Sequence, residues 1–304
     1  MARALPDCGA IAAVEPLLKG HGHESFVVHS AARGDVLLKI ALRPEQLAKM
    51  QSLRRVLEIA AQHDIPAPRL LYFCESSEAF GGRPWLIQEF FEGADGETAM
   101  AEMNDAQRRT FFRDFGRAVE RLHAVDIGYF AEEFASGRRE DTWAALVDAR
   151  LAELEARHRR TVVAPPERVE AASHAIRSAA RSVTVRVPPS LVHRDLYLPN
   201  TLVTGGRFRC LLDFEHARSS DAIADFVKLR MWVFEELGDG EPDFLAGYGS
   251  NPLATPGAAV RYRVALGLEL LSGLVYFSAT GQPAMVVDYQ RRFDEWLAGS
   301  ARVE

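Results

Sequence analysis

A chain of 304 residues has room for two lobes with cores of their own, and its 48% hydrophobic and 26% charged residues are those of a folded globular protein, which excludes intrinsic disorder. The formal net charge of −6 gives no basic footprint for nucleic acid and suits, weakly, a cationic partner. No stretch approaches the ~20 apolar residues that would span a bilayer, and the opening MARALPDCGAIAAVEPLLKG is interrupted by Asp7 and Glu15 before it makes a signal-peptide core, so a cytoplasmic protein is expected.

In chain order, FVVHS, DVLLKIAL, RLLYF and PWLIQEF read as strands up to about residue 90. One helix interrupts them at about 44–62, with Leu47, Met50, Leu53 and Leu57 on one face, and His63-Asp64-Ile65-Pro66 ends it. After EGADG at 92–96 the pattern turns helical. Asn104 or Asp105 can cap a helix that puts Phe111, Phe115, Ala118 and Leu122 on one face. Asp141-Thr142 opens another and Pro165-Pro166 a third. Between about 190 and 214 short strands return as LV, NTLV and RCLLDF, before helices at about 222–236, 256–279 and 284–298. GEPDFLAGYGSNPLATPG, at 240–257, reads as a mobile loop. Cys8, Cys74 and Cys210 lie far apart and show no zinc spacing, so they are expected as reduced thiols.

The chemistry concentrates in the helix-poor island. LVHRDLYLPNTLV places Asp195 and Asn200 between apolar pairs, and NTLVTGGRFRCLLDF, with Gly205-Gly206 at its tip, makes a hairpin. That hairpin returns Asp213 towards Asn200. Hard cations such as Mg²⁺ take oxygen ligands, one or two carboxylates with substrate phosphates. Asn200 and Asp213 therefore suit a metal–nucleotide complex, leaving Asp195 to orient a hydroxyl and accept its proton. An isolated Asp or Asn more often caps a turn; the whole pattern H-R-D-x-x-x-x-N with D-F across a hairpin is much harder to obtain by chance.

Together with GRAVERLHAVD, WLIQEFFEG, HDIPAPRLL and VLLKI, this stretch resembles the aminoglycoside phosphotransferase family, small-molecule kinases of the protein-kinase-like fold. The resemblance runs from about residue 14 to 235. It implies an α+β, bilobal chain: an N-terminal antiparallel sheet lobe with one main helix (1–91) that binds nucleotide, and a larger, mainly helical C-terminal lobe (92–304) that carries catalysis and the acceptor. It also implies Asp195 as catalytic base, Asn200 and Asp213 as metal ligands, His193 holding the catalytic loop and Asp225 bracing it. Lys39 would contact the α and β phosphates, the backbone of Glu89 and Phe91 would bond the base, and Ser25 ends the KGHGHES segment where a phosphate-covering loop should lie. The implied cofactor is Mg²⁺, with ATP or GTP as donor, in a monomer or dimer.

The sequence departs from the family's pattern in places. KGHGHES is not a G-x-G-x-x-G, and an ordinary hairpin turn would carry the same residues; His21 and His23 read as exposed loop histidines. Lys39 should pair with a glutamate on the following helix, but Glu45 and Glu58 are misplaced for it and its partner stays open. Tyr197, two after Asp195, stands where protein kinases carry Lys, Glu215 stands where Gly follows Asp-Phe, and no A-P-E follows, which points to a small acceptor. Glu215, and the acidic run with Glu235 and Glu236, are expected to line a pocket for a cationic acceptor, most plausibly an aminoglycoside or another basic antibiotic; a metabolic kinase acting on choline, homoserine or a thio-sugar is the alternative, and a non-catalytic nucleotide-binding protein a more distant one. Trp232, Tyr248, Tyr276 and Trp296 read as core aromatics before ligand platforms.

Overall fold

The computed structural model describes residue 7, residues 9–17 and residues 22–299. Cys8 and the Gly20-His21 part of the expected phosphate loop lie outside the described residues.

Five antiparallel strands form the N-terminal sheet in the order β1-β2-β3-β5-β4: β1 (Ile11–Pro16), β2 (His23–Ser30), β3 (Val36–Ala41), β4 (Leu70–Cys74) and β5 (Trp85–Glu89). Side chains alternate across a strand, so Val36, Leu38 and Ile40 of β3 join Val28, Trp85 and Ile87 in a small core on one face. Leu37, Lys39 and Ala41 point the other way. On that side lies helix α1 (Leu47–Gln62), which buries Met50, Leu53, Val56, Leu57 and Ala60 at three- and four-residue spacing. Strand β1 is absent from the sequence reading: it is an edge strand with all six residues exposed, and so carries no alternation to read.

After β5 the chain crosses residues 90–93 to β6 (Ala94–Asp95) and α2 (Gly96–Met100). Strand β6 pairs directly with β8 (Thr201–Thr204) of the β8–β9 hairpin, whose return strand is β9 (Arg207–Leu211). Gly205 and Gly206 turn it with φ of 58° and 73°, a region glycine enters freely. Helix α3 (Asp105–His123) starts on a capping box between Asn104 and Gln107 and buries the expected face of Phe111, Phe115, Ala118 and Leu122. Helices α4 (Trp143–Thr161) and α5 (Pro166–Ser182) follow, then β7 (Ser190–Val192), which pairs with β10 (Arg218–Ser220). The remainder is α6 (Ile223–Leu229), a π-helical turn at Arg230–Phe234, α7 (Glu235–Leu237), α8 (Glu241–Tyr248), α9 (Ala258–Ala279) and α10 (Pro283–Leu297).

The expected mobile loop at 240–257 is a correction. Its first half is α8, held on α3 by a close crossing: a Cβ on Gly116 would stand 2.1 Å from the Phe244 carbonyl, and one on Gly247 2.0 Å from that of Arg113. Phe244 is fully buried against Phe115, Phe226 and Phe234. Packing overrides the glycine and proline content that suggested a loop. Tyr248 and Trp296 belong to the interior, the first against His123 and Phe226, the second stacked on Phe293. Cys74 and Cys210 are free thiols. No helix among the described residues is long and apolar enough to cross a membrane.

Candidate active site

Buried Leu191 and Val192 of β7 feed the loop that begins at His193. Asp225, at the start of α6 and 1% exposed, accepts from the backbone N–H of His193 at 2.7 Å and of Arg194 at 2.6 Å, and faces His123 Nε2 at 3.0 Å. Burial alone would raise its carboxyl, but His123, His193 and these N–H groups hold it below the usual carboxylate value, so it stays an acceptor. His193 Nε2 donates to the Leu212 carbonyl at 2.8 Å, which fixes the tautomer and ties the loop to the strand that precedes Asp213. Leu212 in turn donates its N–H to the Asn200 carbonyl at 2.8 Å. Asp213 is thereby held next to Asn200, as the hairpin spacing predicted.

The Asn200 amide donates to both the Asp195 carbonyl (2.9 Å) and Asp195 Oδ2 (2.8 Å). Its remaining oxygen accepts from none of the described residues. Asp213 has φ of 60°, and its side chain is 38% exposed, with Lys39 Nζ 3.5 Å away. The free Asn200 side-chain oxygen and the Asp213 carboxylate are both oxygen donors. That fits Mg²⁺, which binds through one or two carboxylates and shares its shell with phosphates and water.

Asp195 Oδ1 meets Lys228 Nζ at 2.6 Å. Burial would raise the Asp195 carboxyl, yet the ammonium beside it and the two neighbouring histidines keep it below the ordinary value, and Lys228 is correspondingly raised by Glu269 and Asp195 against its own burial. Lys228 was missed from sequence, although it lies three residues after Asp225 and so on the same face of α6. An ammonium is therefore present at the catalytic loop even though Tyr197 takes the position where protein kinases carry one.

The partner of Lys39 corrects two expectations. Glu58 bonds Arg54 at 2.8 Å on the exposed face of α1, and Glu45 sits in the turn before it. Lys39 Nζ lies instead 3.5 Å from Glu215 Oε1, while Lys49 of α1 reaches Glu215 Oε2 at 2.9 Å. His23 Nδ1 also contacts Glu215 Oε1; far from being exposed, His23 is buried. Burial works to raise the Glu215 carboxyl, but His23, Lys39 and Lys49 hold it far below the usual glutamate range. Lys39 itself is raised, because Asp213 and Glu215 outweigh its desolvation. Glu215 thus faces the N-terminal sheet, not an acceptor pocket.

In the N-terminal sheet, Ser25 pairs with Lys39 across the β2–β3 ladder. Glu89 donates its N–H to Arg69, whereas the Phe91 N–H makes no bond to the described residues, and the Phe91 ring lies under the Arg209 guanidinium.

A cavity of about 480 Å³ opens on the other side of Asp195. Asp195, Tyr197 and Lys228 line it together with the rings of Trp232 and Phe277, and none of the described residues before Arg150 reaches it. Glu235 and Glu236 do not line it. Glu235 pairs with Arg292 at 2.9 Å, Glu241 with Arg230 at 3.2 Å and Asp243 with Arg113 at 2.9 Å, so three of the five acids of the run are held by arginines. The reading of that run as an acceptor rim is corrected accordingly.

No curated protein matches the sequence. Among solved structures, the chain is similar to a thermostable mutant of aminoglycoside phosphotransferase APH(4)-Ia in its apo form (18% identity, 99% of each chain, TM-score 0.73) and in ternary complex with AMP-PNP and hygromycin B (18%, 98% and 97%, 0.74). It is also similar to APH(2")-IIIa with GDP and kanamycin (17% identity, 98% and 95% of the chains, TM-score 0.67). These likenesses establish the fold, an α+β kinase-like one. The model of the phosphotransferase enzyme family APH matches residues 13–260, and with that match over most of its length the chain belongs to this family and is a phosphotransferase.

Proposed function

We propose that the protein is a Mg²⁺-dependent O-phosphotransferase that moves the γ-phosphoryl group of ATP or GTP to a hydroxyl of a small molecule, in the cytoplasm. The observation that carries this reading is the junction at Asp195, which has Asn200 and Asp213 on one side and a cavity large enough for a small acceptor on the other. The division of labour follows the chain: residues 1–91 hold the nucleotide, with Lys39 on its phosphates and the backbone at Glu89 and Phe91 on its base, and residues 92–304 hold the acceptor.

Asp195 is ionised at neutral pH and sits where it can hold the acceptor hydroxyl and take its proton. The acceptor oxygen bonds to Pγ as the bond from Pγ to the β–γ bridging oxygen breaks, and the nucleoside diphosphate leaves with that oxygen. A carboxyl held below the ordinary range is a weak base, which suits a loose transition state in which the hydroxyl keeps its proton until late. Bound through Asn200 and Asp213, Mg²⁺ would supply positive charge to the phosphates. Positioning by Asp225 and His193 and charge from Lys39 and Lys228 contribute the rest.

Complexes of relatives with hygromycin B and kanamycin support an aminoglycoside acceptor. The lining of this chain's cavity favours the alternative, a metabolite. The test of the phosphotransferase reading is Asp195→Asn, assayed for γ-phosphate transfer across basic antibiotics and primary metabolites: kcat falls by roughly 10²–10⁴-fold while the nucleotide dissociation constant stays within a few-fold. Near-normal kcat in the Asn variant would exclude Asp195 as the base.

A further inference from the structure

The charges of the acceptor cavity are inverted from what a polycationic acceptor needs. Its lining holds five cations, Arg150, Arg157, Arg194, Arg218 and Lys228. Against them stand three carboxylates, Asp195, Glu153 and Glu269, with Glu132 just behind. His216 adds no charge at neutral pH, because burial pushes it down.

Every one of these carboxylates is already engaged. Asp195 is held by Lys228, and Glu269 lies between Lys228 (3.8 Å) and Arg194 (3.7 Å). Glu153 is held by Arg150 at 2.5 Å, and Glu132 by Arg218. An incoming ammonium would find no free carboxylate and several like charges.

The cations are not equally satisfied. The guanidinium groups of Arg194 and Arg157 make no hydrogen bond to the described residues; each has only an ion pair at 3.7 Å, to Glu269 and Glu153. Arg194 is 13% exposed at its side chain and Arg157 29%, so partly desolvated donors face the cavity with capacity left. Arg218 is lowered to about 10 by burial alone, whereas Arg157 is lowered by burial and by Arg150 beside it, the direction expected of a cation next to another.

A second, independent feature lies in the backbone. Arg194 has φ of 68°, a left-handed conformation that a glycine would take without strain and an arginine does not. Such strain at a site points to a side chain that is needed there. The Arg194 side chain has one ionic partner, Glu269 at 3.7 Å, and lines the cavity.

Taking the phosphotransferase reading as its basis, we propose that the acceptor is an anionic hydroxyl compound, bearing a carboxylate or phosphate that Arg194 and Arg157 receive, with its apolar body on Trp232 and Phe277. A planar guanidinium pair matches the paired oxygens of either anion. Arg150 and Arg218, held by Glu153 and Glu132, form the rear of the same wall.

The experiment compares γ-phosphate transfer by the full chain to hydroxycarboxylates, sugar phosphates, neutral polyols and aminoglycosides. The expected result is transfer to members of the first two sets, the preferred set identifying the anion. In Arg194→Gly, a change that relieves the backbone and so does not endanger folding, and in Arg157→Gln, KM for that acceptor rises roughly 10- to 100-fold with a smaller change in kcat, whereas Arg157→Lys recovers part of the loss. Transfer confined to aminoglycosides or neutral polyols overturns the proposal and leaves the phosphotransferase reading standing. Absence of any Asp195-dependent turnover of nucleotide, with or without acceptor, defeats that earlier reading instead.

Discussion

Glu215→Gln removes one negative charge from a buried cluster without changing its shape. Glu215 is 8% exposed at its side chain and lies 2.9 Å from Lys49 and 3.5 Å from Lys39. With an effective dielectric of about 20, each contact has a gross attraction of roughly 5–6 kcal/mol. Most of this is offset by the cost of desolvating the carboxylate. What the substitution leaves is two lysines and His23 packed around a neutral amide, and breaking one side of a buried ion pair typically costs about 3–5 kcal/mol. Lys49 is one-third exposed and can turn to water, which puts the expected loss near ~3 kcal/mol. For a chain of this size, at roughly 2 °C per kcal/mol, Tm should fall by about 6 °C in calorimetry without nucleotide. Because the Glu215 carboxyl is held far below its ordinary value of about 4.3, its own contribution is fully present above that pH and fades only as pH falls further, so the gap between the two proteins should shrink in acid below that value. In the double variant with Lys49→Met the losses should be less than additive. A fall in Tm under ~2 °C, or strict additivity, would refute the account of Glu215 as the counter-charge of these lysines.

Lys228→Met leaves Asp195 without the ammonium that holds its carboxyl down, so burial should push that carboxyl up. Activity depends on the carboxylate and is lost as pH falls through that value, so the acid limb of the kcat/KM profile moves up towards neutral pH; an unmoved limb would mean that Lys228 does not govern this titration. Gly116→Ala should lower the urea midpoint, since a Cβ would stand 2.1 Å from the Phe244 carbonyl and overpacking costs ~1–3 kcal/mol, more than the gain in helix propensity. A stabilised variant would show that α3 and α8 separate easily.

The parts of this molecule that were legible in the sequence are those whose signal is local. Spacing within one segment was enough to put Asp195 near Asn200 and to turn a hairpin that brings Asp213 back, and a cap followed by four apolar residues was enough for α3. What escaped depends on pairings that no window contains. Glu215 meets Lys39 across 176 positions, and Lys49 joins them from a third element, so the lone acid after Asp-Phe looked like a ligand group. The acidic run around Glu235 carries the same composition as a cation-binding rim, but Arg292 and Arg113 arrive from distant helices to hold Glu235 and Asp243, and nearby Arg230 holds Glu241. Helix α8 was obscured because its glycine serves a close crossing, and a crossing has no signature in one sequence.

Because Lys39 draws its counter-charge from Asp213 and Glu215, at and beyond the end of the catalytic hairpin, and not from α1, the sheet and the helical region already share anions before any substrate arrives. In the proposed reaction, triphosphate binding would be an anion exchange: phosphate oxygens would take over a lysine that carboxylates hold, in place of one that only water holds. The affinity gained would be the difference between two ion pairs, and the displaced carboxylate would be left two residues from Asp213, where its charge would add to that of the Asp213 carboxylate. A nucleotide that brings its own divalent cation compensates that added negative charge, and a bare one does not.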